Sequence, residues 1–131
     1  MNIGQAAKQS GLSAKMIRYY EQIGLLPEPE RTNAGYRIYH DQDLQRLGII
    51  QQARLLGFSS EQMKDLLTLW QNKNRQSSDV KKLAESHIEW LQAKIAEMQR
   101  MVEILQQSVD QCAGNEQAEC HILNHIEQGN E

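Results

Sequence analysis

The stretch Ser13-Ala14-Lys15-Met16-Ile17-Arg18-Tyr19-Tyr20-Glu21-Gln22-Ile23-Gly24-Leu25-Leu26 decides how the first half of the chain folds. Ser13 is a good helix N-cap and Gly24 suits the far end, so the segment predicts a helix running to about Gln22. On that helix Ile17 and Tyr20 face with Leu12 toward a preceding short helix, which carries Ile3, Ala6 and Ala7 on one side. The turn Ser10-Gly11-Leu12 separates the two, and short helices around a tight glycine turn predict a helix-turn-helix. Lys15, Arg18 and Tyr19 stand at i, i+3 and i+4 and share a face. Such a face suits a major-groove reader, with guanidinium for guanine edges or phosphates and phenol hydroxyl for phosphates. It also reads as ordinary solvated surface.

Downstream, Pro27 and Pro29 forbid helix, and Asn33-Ala34-Gly35 reads as a hairpin turn. Arg31, Tyr36 and Arg37 cluster around that turn as a basic wing. Asp41 is the expected cap of a third helix with Leu44, Leu47, Ile50 and Leu55 on its core side, ended by Gly57. Ser59-Ser60-Glu61-Gln62 fits a capping box for a fourth helix carrying Met63, Leu66, Leu67 and Trp70 inward. Arg54 lies just before the intervening turn, within expected reach of a phosphate.

Gln71 to Ser78 is polar and reads as a hinge. From there to Gln111 no Gly or Pro occurs, and apolar residues recur with alternating four- and three-residue steps. Ile88, Ile95, Val102 and Val109 fall at one seam position; Ala84, Leu91, Met98 and Leu105 fall at the other. This is a coiled-coil seam, which needs a partner, and a homodimer is the expectation. An amphipathic helix folded back on its own domain is the other reading, since Leu83, Trp90, Met101 and Ile104 widen the apolar face. Branched residues at one seam position and mainly Leu or Met at the other would by themselves suit a parallel pair.

The only two cysteines, Cys112 and Cys120, are separated by seven residues that include a Gly, an Asn and two Glu, and so predict a loop. Two thiolates are soft ligands for Cu(I), Ag(I), Au(I), Zn(II) or iron–sulfur clusters. Clusters ask for about four cysteines, and Zn(II) prefers four nitrogen or sulfur ligands. A monovalent d¹⁰ ion is content with two. His121 and His125, at i and i+4, keep Zn(II) open. His121-Ile122-Leu123-Asn124-His125-Ile126 reads as a short helix starting at Cys120. Its N-terminal dipole favours the net −1 of a bis-thiolate holding a monovalent ion. His40 and His87 read as surface or seam residues.

Totals agree with this division. The 131 residues allow one domain with extensions, and 40% apolar content with few Pro and Gly argues for a helical fold. The net charge of −3 hides an asymmetry. Residues 1–60 hold seven basic and five acidic side chains, the rest seven and twelve, and no Lys or Arg follows Arg100. Neither a secretory signal nor a membrane span is expected, which places the chain in the cytoplasm, where a disulfide between the cysteines would be reduced. No acid, base and orienting group converge at readable spacing, and no phosphate loop is present, so an enzyme is not expected.

Ile3-Gly4-Gln5-Ala6-Ala7, then Met16-Ile17-Arg18-Tyr19-Tyr20-Glu21 with Ile23-Gly24-Leu25-Leu26, Gly35-Tyr36-Arg37 and Gly57-Phe58-Ser59 resemble the DNA-binding domain of the MerR family over about residues 1–70. The resemblance implies a mainly α fold: a winged helix-turn-helix domain (1–70), a hinge (71–78), a long antiparallel coiled-coil dimerisation helix (79–111), and a metal-binding loop with a short C-terminal helix (112–131). Carried onto matching positions, it implies that Lys15, Arg18, Tyr19, Tyr20, Arg31, Tyr36, Arg37 and Arg54 contact double-stranded promoter DNA. At the cysteines it narrows to the family's copper-efflux-regulator branch, whose Cys-x7-Cys spacing Cys112 and Cys120 match. Branches sensing divalent metals place a third cysteine where this chain has Ser77; where relatives often carry proline, it has His121. The implied function is a dimeric activator of metal-efflux genes that binds one Cu(I), Ag(I) or Au(I) per chain and distorts promoter DNA for RNA polymerase. The alternative is a Zn(II)- or thiol-redox-responsive regulator using the same loop.

Overall fold

The computed structural model describes residues 1–112 and 120–129. Two compact units divide the chain, Met1–Ala84 and Glu85–Glu131.

The first unit begins with α1 (Ile3–Ser10). Asn2 and Gln5 form a reciprocal capping box, each side chain accepting the other's backbone N–H at 2.8 and 2.9 Å. Gly11 ends α1 with φ +79°, a left-handed conformation that glycine adopts without cost. Helix α2 (Ala14–Gln22) starts at Ser13, whose hydroxyl accepts from the Met16 N–H. Strands β1 (Glu30–Arg31) and β2 (Arg37–Ile38) pair antiparallel, Glu30 opposite Ile38 and Arg31 opposite Arg37. The wing turn closes through Gly35 N–H to the Thr32 carbonyl at 2.9 Å, with Gly35 at φ +90°.

Helix α3 (Asp41–Leu55) is capped by His40, not Asp41 as expected. The His40 N–H donates to the Asp43 carboxylate at 2.9 Å, so the acidic residue that stabilises the start lies two positions later. The expected core face needs a second correction. Leu47, Ile50 and Ala53 are buried, whereas Leu55 is 63% exposed. The helical period carries the face from Ile50 to Ala53, and Leu55, five residues on, has rotated away from it. Helix α4 (Ser60–Gln71) carries the expected capping box between Ser59 and Gln62, and buries Met63 and Leu67.

One cluster unites the unit: Ala6, Leu12, Ile17, Tyr20, Leu25, Leu26, Tyr39, Leu47, Ile50, Ala53, Met63 and Leu67. Leu12, in the turn between α1 and α2, is buried in this cluster. Residues 72–76 lie between helices. Helix α5 runs Ser77–Gln111, so Ser77 and Ser78, read as part of the hinge, are helical.

In the second unit α5 exposes most of its seam: Ile95 is 66% and Met98 61% accessible, and Ile88, Val102, Leu105 and Val109 are also exposed. His87, expected at the surface or in the seam, is buried and stacks on Trp90 with centroids 5.8 Å apart. Lys94 lies over the other end of this ladder, 5.5 Å from the Trp90 ring. Helix α6 (His121–Gln128) starts at Cys120 and ends at Gly129 in the left-handed region. Among the described residues no helix is long and apolar enough to cross a membrane.

Candidate DNA interface and thiol pair

The wing and α2 meet through one carboxylate. Glu21, in the last turn of α2, accepts from Arg37 Nε at 3.0 Å and from the Tyr39 hydroxyl. Tyr39 follows β2 directly and is buried. Burial, and then the Glu21 carboxylate beside it, push its phenol well above the ordinary tyrosine range. The wing is braced again from within, since Arg31 Nη1 donates to the Gly35 carbonyl at 2.9 Å.

Around this junction the expected DNA-facing residues separate into groups. Lys15, Arg18 and Tyr19 are exposed on α2, as their spacing predicts. Tyr36 is 72% exposed at the wing. Arg31 and Arg54 are exposed as well, with Arg54 donating to the Gln51 amide oxygen at 3.5 Å. Tyr20 differs. It is a core residue, 5% exposed, in the same cluster as Ala6 of α1. Burial, the largest influence, raises its hydroxyl pKa. Arg37 also differs, being only partly exposed and paired with Glu21. A cleft opens between the start of α1, α2 and the wing, lined by Asn2, Ile3, Arg18, Gly35, Tyr36 and Arg37. Two arginines thus line it beside the start of α1, an arrangement suited to a phosphate.

Cys112 follows the last residue of α5 and donates its N–H to the Val109 carbonyl at 3.1 Å. Cys120 is the N-cap of α6. Their sulfurs stand 3.5 Å apart as free thiols, both partly exposed. The Leu123 backbone N–H, then the Cys112 thiol, hold the Cys120 thiol below its ordinary range. The loop expected between them, 113–119, lies outside the described residues. His121 is exposed and His125 half-buried. Among the described residues no three His, Cys, Asp or Glu side chains gather as a metal cluster. Ser77 stands exposed at the start of α5.

The pair fits a soft ion. With metal–sulfur bonds of about 2.3 Å, a tetrahedral ion holds its sulfurs roughly 3.8 Å apart and a linear one about 4.6 Å apart. The observed 3.5 Å is within a few tenths of an ångström of the first span and about 1 Å short of the second.

A helix-turn-helix with a wing, a long helix with an exposed apolar seam, and a thiol pair at the end of that helix are the parts of a DNA-binding regulatory protein. Residues 2–39 match the MerR family regulatory protein model, and residues 44–108 the model described as MerR, DNA binding. The chain belongs to the MerR family. It is 49% identical over 129 residues to heavy metal-dependent transcription regulator 2 of Rhizobium meliloti, covering 98% of this chain and 88% of that one. It is 36% identical over 126 residues to the transcriptional regulator CueR of Salmonella typhi, covering 96% and 91%. Among solved structures it resembles the regulator PbrR691 of Ralstonia metallidurans in complex with lead(II), with TM-score 0.79, 31% identity, and 96% and 98% covered. It also resembles HiNmlR bound to promoter DNA, with TM-score 0.56, 28% identity, and 84% and 83% covered.

Proposed function

We propose that this protein is a cytoplasmic, dimeric, metal-responsive activator of metal-efflux genes that senses Cu(I), Ag(I) or Au(I), one ion per chain, through Cys112 and Cys120. The observation that carries the metal reading is the sulfur pair itself, 3.5 Å apart between the end of α5 and the cap of α6. Two thiolates and a monovalent ion carry net −1, which the first turn of α6 favours, and its Leu123 amide already favours the Cys120 thiolate. The relatives' names point to metals in general, heavy metals in one and lead(II) in another, so the choice of a monovalent ion rests on the Cys-x7-Cys spacing, which resembles the copper-efflux-regulator branch, and on the charge of the two-thiolate site. Ser77, where divalent-metal branches place a cysteine, adds no thiolate.

DNA binding is proposed through Lys15, Arg18, Tyr19, Tyr36, Arg31, Arg37 and Arg54, with Tyr20 supporting α2 from beneath. The exposed α5 seam supports a homodimer, and the family resemblance implies that it is antiparallel, presenting two reading helices to two half-sites. In that pair Ser77 of each protomer lies beside the metal site of the other. Cys112 and Cys120 would hold the ion, which would tie the end of α5 to the start of α6. The chain couples this to residues 71–78, favouring one of two conformations that hold promoter DNA in different shapes, one of them readable by RNA polymerase.

A Zn(II)-responsive regulator is the second reading, because the 3.5 Å separation is nearer a tetrahedral edge than a linear span. Titration of the reduced protein with each metal against competing chelators separates the two. One tightly held Cu(I) per chain without Zn(II) uptake is expected, and Zn(II) uptake with a nitrogen ligand overturns the monovalent assignment. Cys112→Ser should bind promoter DNA as the parent does and lose metal-induced transcription; retained induction removes the thiol pair from the mechanism.

A further inference from the structure

The carboxylate of Glu21 sits where elementary electrostatics disfavours it. It lies in the last turn of α2, at the negative end of the helix dipole. Its side chain is only 10% exposed, so water offsets little of that cost. Its position needs partners, and it has two, one on each oxygen. Oε2 accepts from Arg37 Nε, sixteen residues away on the wing, and Oε1 accepts from the Tyr39 hydroxyl, eighteen residues away. Tyr39 is itself held in the core. One carboxylate therefore joins α2 to both ends of the segment that carries β2.

The mode of pairing matters as much as its presence. Arg37 uses Nε on Glu21, which leaves its two terminal nitrogens to donate elsewhere, and it lines the cleft shared with Arg18. Arg18 stands three residues before Glu21 on α2, a spacing at which helical side chains are neighbours. Two cationic side chains lining one cleft repel each other, and the carboxylate paired with Arg37 offsets that repulsion. Glu21 thus holds the second cation at the cleft before any ligand arrives, so ordering that side chain costs less on binding.

We propose that Glu21 is a positioning residue for DNA recognition: it locks the wing onto α2 and aims the terminal nitrogens of Arg37 at the phosphate that Arg18 also approaches. This rests on the proposed DNA-binding function. It assigns Glu21 no contact with DNA, and gives an acidic residue on the reading helix a favourable effect on binding a polyanion.

The test uses the full-length protein and a duplex selected by that protein from a random-sequence pool. Failure of the parent to select or bind any duplex counts against DNA binding itself, and is distinct from any difference among the variants. Dissociation constants are measured for the parent, Glu21→Gln, Arg37→Gln and the double variant, each checked by circular dichroism and thermal midpoint. Glu21→Gln is expected to weaken binding about tenfold in the parent background and by less than twofold once Arg37 is gone, the non-additivity of two residues acting through one contact. Removing Arg37 should lower the slope of log affinity against log salt by about one phosphate. Tyr39→Phe, which takes one partner from Glu21 and changes no charge, should weaken binding about threefold, again only when Arg37 is present. It carries the test if Glu21→Gln does not fold. Equal losses in both backgrounds would mean a general structural role, and tighter binding by Glu21→Gln would mean that Glu21 merely neutralises Arg37. Either result overturns the proposal.

Discussion

Cys120 is both the residue from which α6 starts and one half of the sulfur pair. The Leu123 amide that would welcome any N-cap acceptor here meets sulfur, and it favours the thiolate. The folded state therefore binds the Cys120 proton more weakly than the unfolded chain does. Its contribution to stability is fully present above the ordinary value of 9.0 and is lost as pH falls through the lowered folded value. Alkylation followed by peptide mass analysis should give Cys120 a midpoint below that of the same cysteine in denatured protein. An equal or higher midpoint would remove the amide from the account. The thiol pair was legible in the sequence because it rests on one residue type and a spacing. Glu21 was not. Its meaning comes from Arg37 and Tyr39, and nothing local in Arg18-Tyr19-Tyr20-Glu21 marks that pairing. The same distance effect turned Arg37 partly away from solvent, whereas the burial of Tyr20 follows the inward face that its helical position gave it.

Helix limits were legible where capping chemistry is local. Ser13 and Ser59 were read from their own neighbourhoods, and the long helix from its uninterrupted heptads. His40 escaped because its side chain is no usual cap; Asp43 supplies the acceptor instead. The Asn2–Gln5 box was available in the sequence by the same rule that found Ser59 and Gln62. Caps also hold the helices that present the wing and α2. Ser59→Ala leaves the Gln62 N–H without its 3.2 Å partner and should cost about 1 kcal/mol. Chemical denaturation should show a lower midpoint at unchanged slope. A changed slope would mean that α4 had come loose from the core rather than lost a cap.

The whole molecule asks what covers α5. Six seam residues are at least half exposed in one chain, and a second copy is the proposed cover. Ile95→Glu places a charge at the seam residue of greatest exposure among them. It should give a monomer by light scattering at micromolar concentration, with the α1–α4 unit still folded and operator affinity reduced by roughly a hundredfold or more as two half-sites become one. A dimer that persists would send the search for the interface elsewhere. Fold class and element order were legible because they follow from period and punctuation. Seam orientation was not, because heptads specify a partner without giving its direction.

The length of α5 has a further consequence. Its 35 residues rise about 52 Å, while a turn of B-DNA repeats about every 34 Å. In the proposed antiparallel pair this rod is a gauge block between two reading heads, and it is no whole number of turns. One added heptad would keep the seam in register yet lengthen the gauge by about 10 Å, or roughly three base pairs. The heads would then meet the duplex on different faces, with every DNA-facing side chain unchanged. If the proposed pair holds, operator choice would be written partly in the length of α5.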